Sequence, residues 1–285
     1  MPELPEVETV ARLVRPRLVG RRIEGARVEW PKTVGELGPD AFARAVEGAR
    51  VVGVRRRAKY IIVDLARGRG PAGHLLIHLR MTGRLQVDPA ASEMPPYTRV
   101  ELPLDRGRVL RFLDVRKFGR FEYRADLEHA FDHLGPEPLE GPWDAADFSR
   151  ELRARRRQLK PLLLDQSFLC GLGNIYVDEA LHRSGLHPLR RADRVPGPRA
   201  RRLFAEIQAT LAEAIEREGS SFDTFYRTPE GQPGSFQHQF RVYGRQGRPC
   251  RTCGQTVVRI VVGQRGTHLC PRCQRPPRSL EFHAS

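Results

Sequence analysis

Lysine is scarce in this chain: four of the 49 cationic side chains are lysine and the rest are arginine. Long apolar runs are missing too. Nothing approaches the roughly 18 consecutive apolar residues of a membrane helix, and the opening residues are too acidic for a secretory signal. The expectation is an intracellular, soluble, cytoplasmic protein with no membrane partner. Internal repeats and low-complexity tracts are also absent, which argues against a solenoid or a largely disordered chain. Carboxylates fall short of cations, 34 against 49, leaving a formal net charge of +15. That excess points to a polyanionic partner, nucleic acid first. Charge alone does not decide the matter, because an arginine surplus can also follow from codon composition.

What is present is sharper. Four of the five cysteines are spaced as Cys250-x2-Cys253-x16-Cys270-x2-Cys273, the pattern of a four-thiolate zinc site. Each pair can sit in a tight turn, and the sixteen residues between them can form a β-hairpin. The alternative is a disulfide pair, which a cytosolic chain disfavours. Cys170, in "FLCGLGN", reads as a small buried residue.

A length of 285 residues suggests about two domains. The segment from Glu6 to about Arg15 carries Val7, Val10, Ala11 and Val14 on one helical face, with Pro16 expected to end it. Strand-like stretches follow: "RRIEGARVEW", "RVVGVRRRAKYIIVDL", "GHLLIHLRMTGRLQV", "YTRVELPL" and "RVLRFLDVRKFGRFEYR". They lack βα alternation, so a sandwich or barrel is expected. "GPEPLEGPW", residues 135–143, reads as a linker. Beyond it, residues 144–157 read as helical, "GLGNIYVDEALHRSG" as a turn entering a helix, and "RARRLFAEIQATLAEAIEREG" as an amphipathic helix.

The motifs "MPELPEVET", "HLRMTG", "DVRKFG", "GLGNIYVDEAL" and "RGTHLCPRCQR" within the cysteine pattern together resemble formamidopyrimidine-DNA glycosylase, a bacterial repair enzyme for 8-oxoguanine. The likeness runs along the whole chain in order. It implies an α+β fold: an N-terminal antiparallel β-sandwich with flanking helices, then a helix-two-turn-helix domain with a β-hairpin zinc finger. The corresponding boundaries are a catalytic sandwich over 1–134, the linker, a helical DNA-binding domain with a lesion-capping loop over 144–247, the finger over 248–275 and a tail over 276–285. The implied partner is damaged double-stranded DNA, the implied cofactor one structural Zn2+ on Cys250, Cys253, Cys270 and Cys273, and the implied state a monomer.

By this resemblance, removal of Met1 exposes Pro2, whose amine attacks C1′ of the damaged nucleotide. The chemistry suits the residue. An α-amino group has a pKa of roughly 8, so about a tenth is unprotonated at pH 7, against less than about one in a thousand for a lysine near 10.4. A secondary amine yields an iminium, an electron sink that permits β- and δ-elimination after base loss. Glu3 would be the adjacent acid and base, with Lys59 assisting β-elimination and Arg265 δ-elimination. Taken alone, "PELPE" would read only as an acidic helix N-terminus with proline in its first turn.

Excision needs the nucleotide out of the stack and something in its place. The resemblance assigns that wedge to Met81, Arg116 and Phe118, and backbone contacts to Tyr97, Arg155, Lys160, Asn174 and Tyr176. Read by themselves, Met81 and Phe118 would be sandwich core and Arg116 a solvated turn residue. The alternation of a strand would put Arg116 and Phe118 on one side. Glu6, Ser220, Ser221, Thr224 and Tyr226 would border the lesion pocket. The chain departs from the family pattern at Tyr97, where histidine is usual, at Ala58, where glycine precedes the lysine, and at Cys170. Two rivals stay open: an endonuclease VIII-type glycosylase for oxidised pyrimidines, whose usual start is "PEGPE", and a non-catalytic zinc protein on the same scaffold.

Overall fold

The apolar face of the first helix is the seed of the N-terminal unit. In a computed structural model, which describes residues 1–221 and 226–277, α1 spans Leu4–Leu18 and buries Leu4, Val7, Val10, Ala11, Val14 and Leu18. Glu3 is its N-cap, and Glu6 three residues on accepts the Glu3 N–H at 2.8 Å while the Glu3 side chain accepts the Glu6 N–H, a capping box. The helix runs past Pro16 rather than stopping at Arg15. So close to the C-terminus, the proline removes a single backbone hydrogen bond.

Two antiparallel four-stranded sheets follow. One has the order β1 (Arg27–Val28), β6 (Thr98–Leu104), β7 (Arg108–Asp114), β5 (Gly83–Pro89); the other is β2 (Arg50–Arg57), β3 (Tyr60–Arg67), β4 (Gly70–His78), β8 (Arg120–Arg124). A short helix, α2 (Pro39–Val46), lies between β1 and β2. Val51, Ile61, Val63, Leu75 and Ile77 of one sheet join Leu85, Val100, Leu102 and Phe112 of the other, with the α1 face, in one buried cluster. The expected sandwich is there. Three of the expected strand stretches are in fact two strands and a turn each, since non-glycine residues at positive φ break them: Ala58, Arg80 and Lys117.

The second unit holds α3 (Ala145–Arg153), α4 (Leu159–Leu164), α5 (Asn174–Ser184), α6 (Gly197–Glu216) and the hairpin of β9 (Val258–Val262) and β10 (Arg265–Leu269). Asp144 caps α3 by accepting from Ala146 N at 2.7 Å and Asp147 N at 2.8 Å. The helix stops at Arg153 rather than about 157. Along α6, Leu203, Phe204, Ile207, Leu211 and Ala214 form the buried stripe, and Phe204 stacks on Phe148 at 4.8 Å. Cys170 is a buried small residue, as expected.

Two boundaries differ from the sequence reading. Residues 135–143 are tied into the second unit: Gly135 N donates to Gln166 O at 2.8 Å, Gln208 Nε2 to Pro138 O at 2.9 Å, and Trp143 packs on Phe168. Residues Arg217–Ser235, expected with the helices, group with the N-terminal sandwich. Among the described residues, no helix is long and apolar enough to cross a membrane.

Candidate active site and nucleic-acid interface

Pro2 and Glu3 are buried where the chain enters α1, while Met1 is 38% exposed. Glu6, 1% exposed, holds this entry in place. One carboxylate oxygen accepts from Glu3 N; the other accepts from Ser220 N at 2.8 Å and from the Ser220 hydroxyl at 3.2 Å. Gly219 (φ +77°) permits that approach, since a Cβ there would lie 2.8 Å from Glu6 Cγ. Ser220, 214 positions from Glu6 in sequence, thus anchors the carboxylate that holds the backbone of Glu3, the proposed acid and base.

Of the other residues expected around a lesion, Ser221 Oγ donates to Tyr226 O at 2.8 Å and accepts from Gly234 N at 3.0 Å. Tyr226, expected to border the lesion pocket, belongs to the apolar core cluster of the N-terminal unit. Burial, then the nearby Glu6 charge, pushes its hydroxyl well above the usual tyrosine value, and it donates to Glu218 O at 3.0 Å. Thr224 lies outside the described residues.

Lys59 sits in the two-residue turn between β2 and β3, after Ala58 at φ +50°. That turn is tied to α1 by a strut the sequence reading missed. Arg56 is ion-paired with Glu8 at 2.9 Å and donates to Ala58 O at 3.2 Å. Burial pulls Glu8 upward, but its hydrogen bond to Arg12 and the Arg56 charge outweigh that and hold its carboxyl below the usual value. Burial first, then the positive charges of Arg80 and Lys59, lowers His78 to about 3. It is neutral at pH 7, and its Nδ1 accepts the Arg80 N–H at 3.0 Å.

Met81 is half-buried in the turn from β4 to β5. Arg116 and Phe118 are exposed in the loop between β7 and β8, Phe118 at 52%, with the guanidinium 4.8 Å from its ring centroid. Their shared side arises from that loop and not from strand alternation. Tyr97 is 54% exposed at φ +66°.

In the second unit the expected contact residues differ in burial. Asn174 opens α5, where the helix dipole is positive, and its Nδ2 donates to Gly266 O at 3.0 Å. Gly266 follows the exposed Arg265 on β10, so the helix start and the arginine are held together. Lys160, expected at phosphate, is fully buried: Nζ lies 2.6 Å from Asp178 Oδ1 and 3.2 Å from Gly266 O. It is a strut under the hairpin. Asp178 Oδ2 also accepts His268 N at 2.8 Å, while Glu179 accepts three backbone N–H groups, from Arg241, Val242 and Tyr243. Tyr176, likewise expected at DNA, is core, its ring tilted on Phe236 at 5.6 Å. Arg155 pairs with Glu151 at 2.9 Å and lies over the Phe168 ring.

The four zinc-spaced cysteines converge, their sulfurs all within 4.8 Å of one another. Cys253 and Cys270 are 3.5 Å apart and Cys250 and Cys273 4.0 Å. A tetrahedron with Zn–S near 2.3 Å spaces its sulfurs by about 3.8 Å, so the donor set fits. Four thiolates this close need a cation between them. Thr252 N donates to Cys250 Sγ and Cys273 N to Cys270 Sγ, at 3.4 and 3.5 Å, and His182 Nε2 stands 3.4 Å from Cys250 Sγ, as outer-shell groups do.

A sandwich opening on Pro-Glu, a helical unit presenting a helix start beside an exposed arginine, and a four-cysteine hairpin define the helix-two-turn-helix class of DNA glycosylases. The sequence matches the models of the formamidopyrimidine-DNA glycosylase N-terminal domain over residues 1–121, of its H2TH domain over 134–226, and of the zinc finger found in FPG and IleRS over 247–276. The chain belongs to the formamidopyrimidine-DNA glycosylase family. It is 43% identical to the formamidopyrimidine-DNA glycosylase of Herpetosiphon aurantiacus and 44% to that of Heliobacterium modesticaldum, in each case over 96% of this chain and 100% of the relative. Among solved structures it is similar to the MutM (Fpg) protein of Thermus thermophilus (42% identity, TM-score 0.85, 97% and 100% of the chains covered). It is also similar to the Lactococcus lactis enzyme in complex with DNA containing N7-benzyl-Fapy-dG (33%, 0.88, 96% and 100%).

Proposed function

We propose that this protein is a bifunctional DNA glycosylase and abasic-site lyase of base excision repair. It extrudes and excises oxidised purines, 8-oxoguanine and formamidopyrimidines, from damaged double-stranded DNA. The observation that carries the reading is the Pro2–Glu3 entry to α1, held by a buried Glu6 that grips the Glu3 backbone.

With Met1 removed, the Pro2 nitrogen gives its lone pair to C1′. The C1′–base bond breaks, its electrons leave on the base, and a proton follows them. Glu3 moves the proton that opens the sugar ring, leaving the iminium. That cation draws off the C2′ proton's electrons so that the 3′ phosphate departs, and a second elimination releases the 5′ phosphate. Lys59 assists the first elimination and Arg265 the second. Met81, Arg116 and Phe118 fill the vacated stack, and Tyr97, Asn174 and Arg155 hold the backbone. The zinc module keeps Arg265 on a rigid hairpin. The enzyme acts as a monomer, in the cytoplasm and on the nucleoid.

Borohydride trapping tests the reading. Covalent complex should form on a duplex with 8-oxoguanine opposite cytosine, and far less on one with an oxidised pyrimidine. Capture of the pyrimidine lesion alone would favour the endonuclease VIII-type activity, and capture of neither a non-catalytic binder.

A further inference from the structure

Asp114 ends β7 and is 1% exposed. A buried carboxylate is costly unless its oxygens are used, and here both are. Oδ1 accepts the Thr82 hydroxyl and the Arg116 N–H, the latter at 3.2 Å; Oδ2 accepts Gly119 N–H at 2.7 Å. Thr82 Oγ1 in turn accepts Arg116 N–H at 3.1 Å. The main chain of Asp114 does the same work: its N–H donates to Tyr97 O at 3.0 Å and its carbonyl accepts Arg99 Nε at 2.8 Å.

These partners are the immediate neighbours of the exposed side chains. Thr82 follows Met81, Gly119 follows Phe118, and Arg116 is gripped directly. The loop has little reason to hold this shape unaided, because Lys117 sits at φ +60°, a conformation that costs a non-glycine residue about 1–2 kcal/mol. It also closes only over glycine: a Cβ on Gly119 would run into the Phe112 ring and stand 3.1 Å from Asp114 Oδ2.

We infer that Asp114, together with Thr82, is the positioning residue of the strand-inserting wedge. It fixes Met81, Arg116 and Phe118 relative to one another before DNA arrives, without touching DNA. The inference rests on the reading of those three residues as the groups that fill the vacated stack. Three donors, two N–H and one O–H, must all be accepted, which a carboxylate can do and an amide cannot. Preorganisation of this kind matters most when a base pair has to be opened, since unpairing costs a few kcal/mol and least at a mismatched or baseless site.

The test is a substrate series with the full-length protein: 8-oxoguanine paired with cytosine, the same lesion mispaired, and a preformed abasic site. Stopped-flow fluorescence of 2-aminopurine beside the lesion reports extrusion. Asp114→Asn keeps the volume but sets an N–H2 against a backbone donor. Thr82→Val removes the hydroxyl, and Thr82→Ser restores it. In Asp114→Asn, extrusion and excision of the paired lesion should slow by about tenfold, the cost of one unaccepted buried donor; in Thr82→Val the loss should be smaller, since Asp114 Oδ1 still accepts the Arg116 N–H. For both variants the loss should be smaller at the mispair and least at the abasic site. Thr82→Ser should recover most of the rate. Equal losses on all three substrates, or a serine variant no better than valine, would overturn the assignment. Should Asp114→Asn not fold, the Thr82 pair decides. Arg116→Ala and Phe118→Ala run alongside. If they lack the graded loss, the wedge reading itself is wrong; if they show it and the Asp114 and Thr82 variants do not, only the positioning role falls.

Discussion

Both units bury charge, but only the N-terminal unit buries it among the residues proposed for the chemistry. There Glu3, Glu6, Lys59 and Asp114 are buried in or beside the residues proposed to meet DNA, while the buried Arg111–Glu101 pair, 2.7 Å apart, only ties β7 to β6. In the second unit Lys160 with Asp178, and Glu179 with its three backbone donors, are fully buried as struts, and the proposed Arg265 is exposed. Of the other groups proposed for DNA there, Arg155 and Asn174 are half-buried. A polar residue inside a motif is therefore not a contact until its burial and partners are known.

Substitutions should separate the units in the same way. The largest effect belongs to the first unit: a tag fused ahead of Pro2, which acylates the amine, should cut borohydride trapping by at least about a thousandfold, with zinc content still one per chain by metal analysis. Cys253→Ala should do the reverse. Structural zinc supplies about 10 kcal/mol or more of folding energy, so the finger should unfold and DNA affinity fall at least about tenfold, while the sandwich melts as before.

Lys160→Met leaves Asp178 buried without its cation. It should destabilise the second unit by about 3–5 kcal/mol in denaturant unfolding, and a loss of DNA binding without loss of stability would contradict the strut. In the sandwich, His78 is held neutral at about 3 against an unfolded value near 6.5. Below that value the unfolded chain takes up a proton that the folded one refuses, so stability drains as pH falls from about 6.5 toward 3. At pH 5 the loss is about 2 kcal/mol, and His78→Gln should flatten the profile by that amount. The smallest effect is expected at Ala58→Gly, which relieves the left-handed φ of +50° before Lys59. It should raise stability by about 1 kcal/mol or less and leave the lyase rate alone.

The paired cysteines and the hairpin between them were legible as local patterns, and the sandwich from strand periodicity without helical crossovers. The Pro-Glu start, read alone, was only a helix N-terminus, and its proposed role came from the likeness along the whole chain. What escaped was long-range. Glu6 meets Ser220 from 214 positions away and Arg56 meets Glu8 from 48, and no local pattern announces either. Lys160 and Tyr176 misled for the opposite reason: a cation and a phenol beside a helix start look like phosphate contacts until packing puts both in the interior. The loop that carries Arg116 and Phe118 escaped because period two describes strands, while Lys117 at positive φ turns the chain.

The central claim is that the N-terminal proline amine is the nucleophile. Peptide mapping by mass spectrometry of the borohydride-trapped complex tests it most directly, and with four lysines in the chain the competing amines are few. The adduct should lie on the N-terminal peptide, at Pro2 with Met1 gone. An adduct on Lys59 or another lysine, with Pro2 unmodified, would contradict the mechanism whatever the fold.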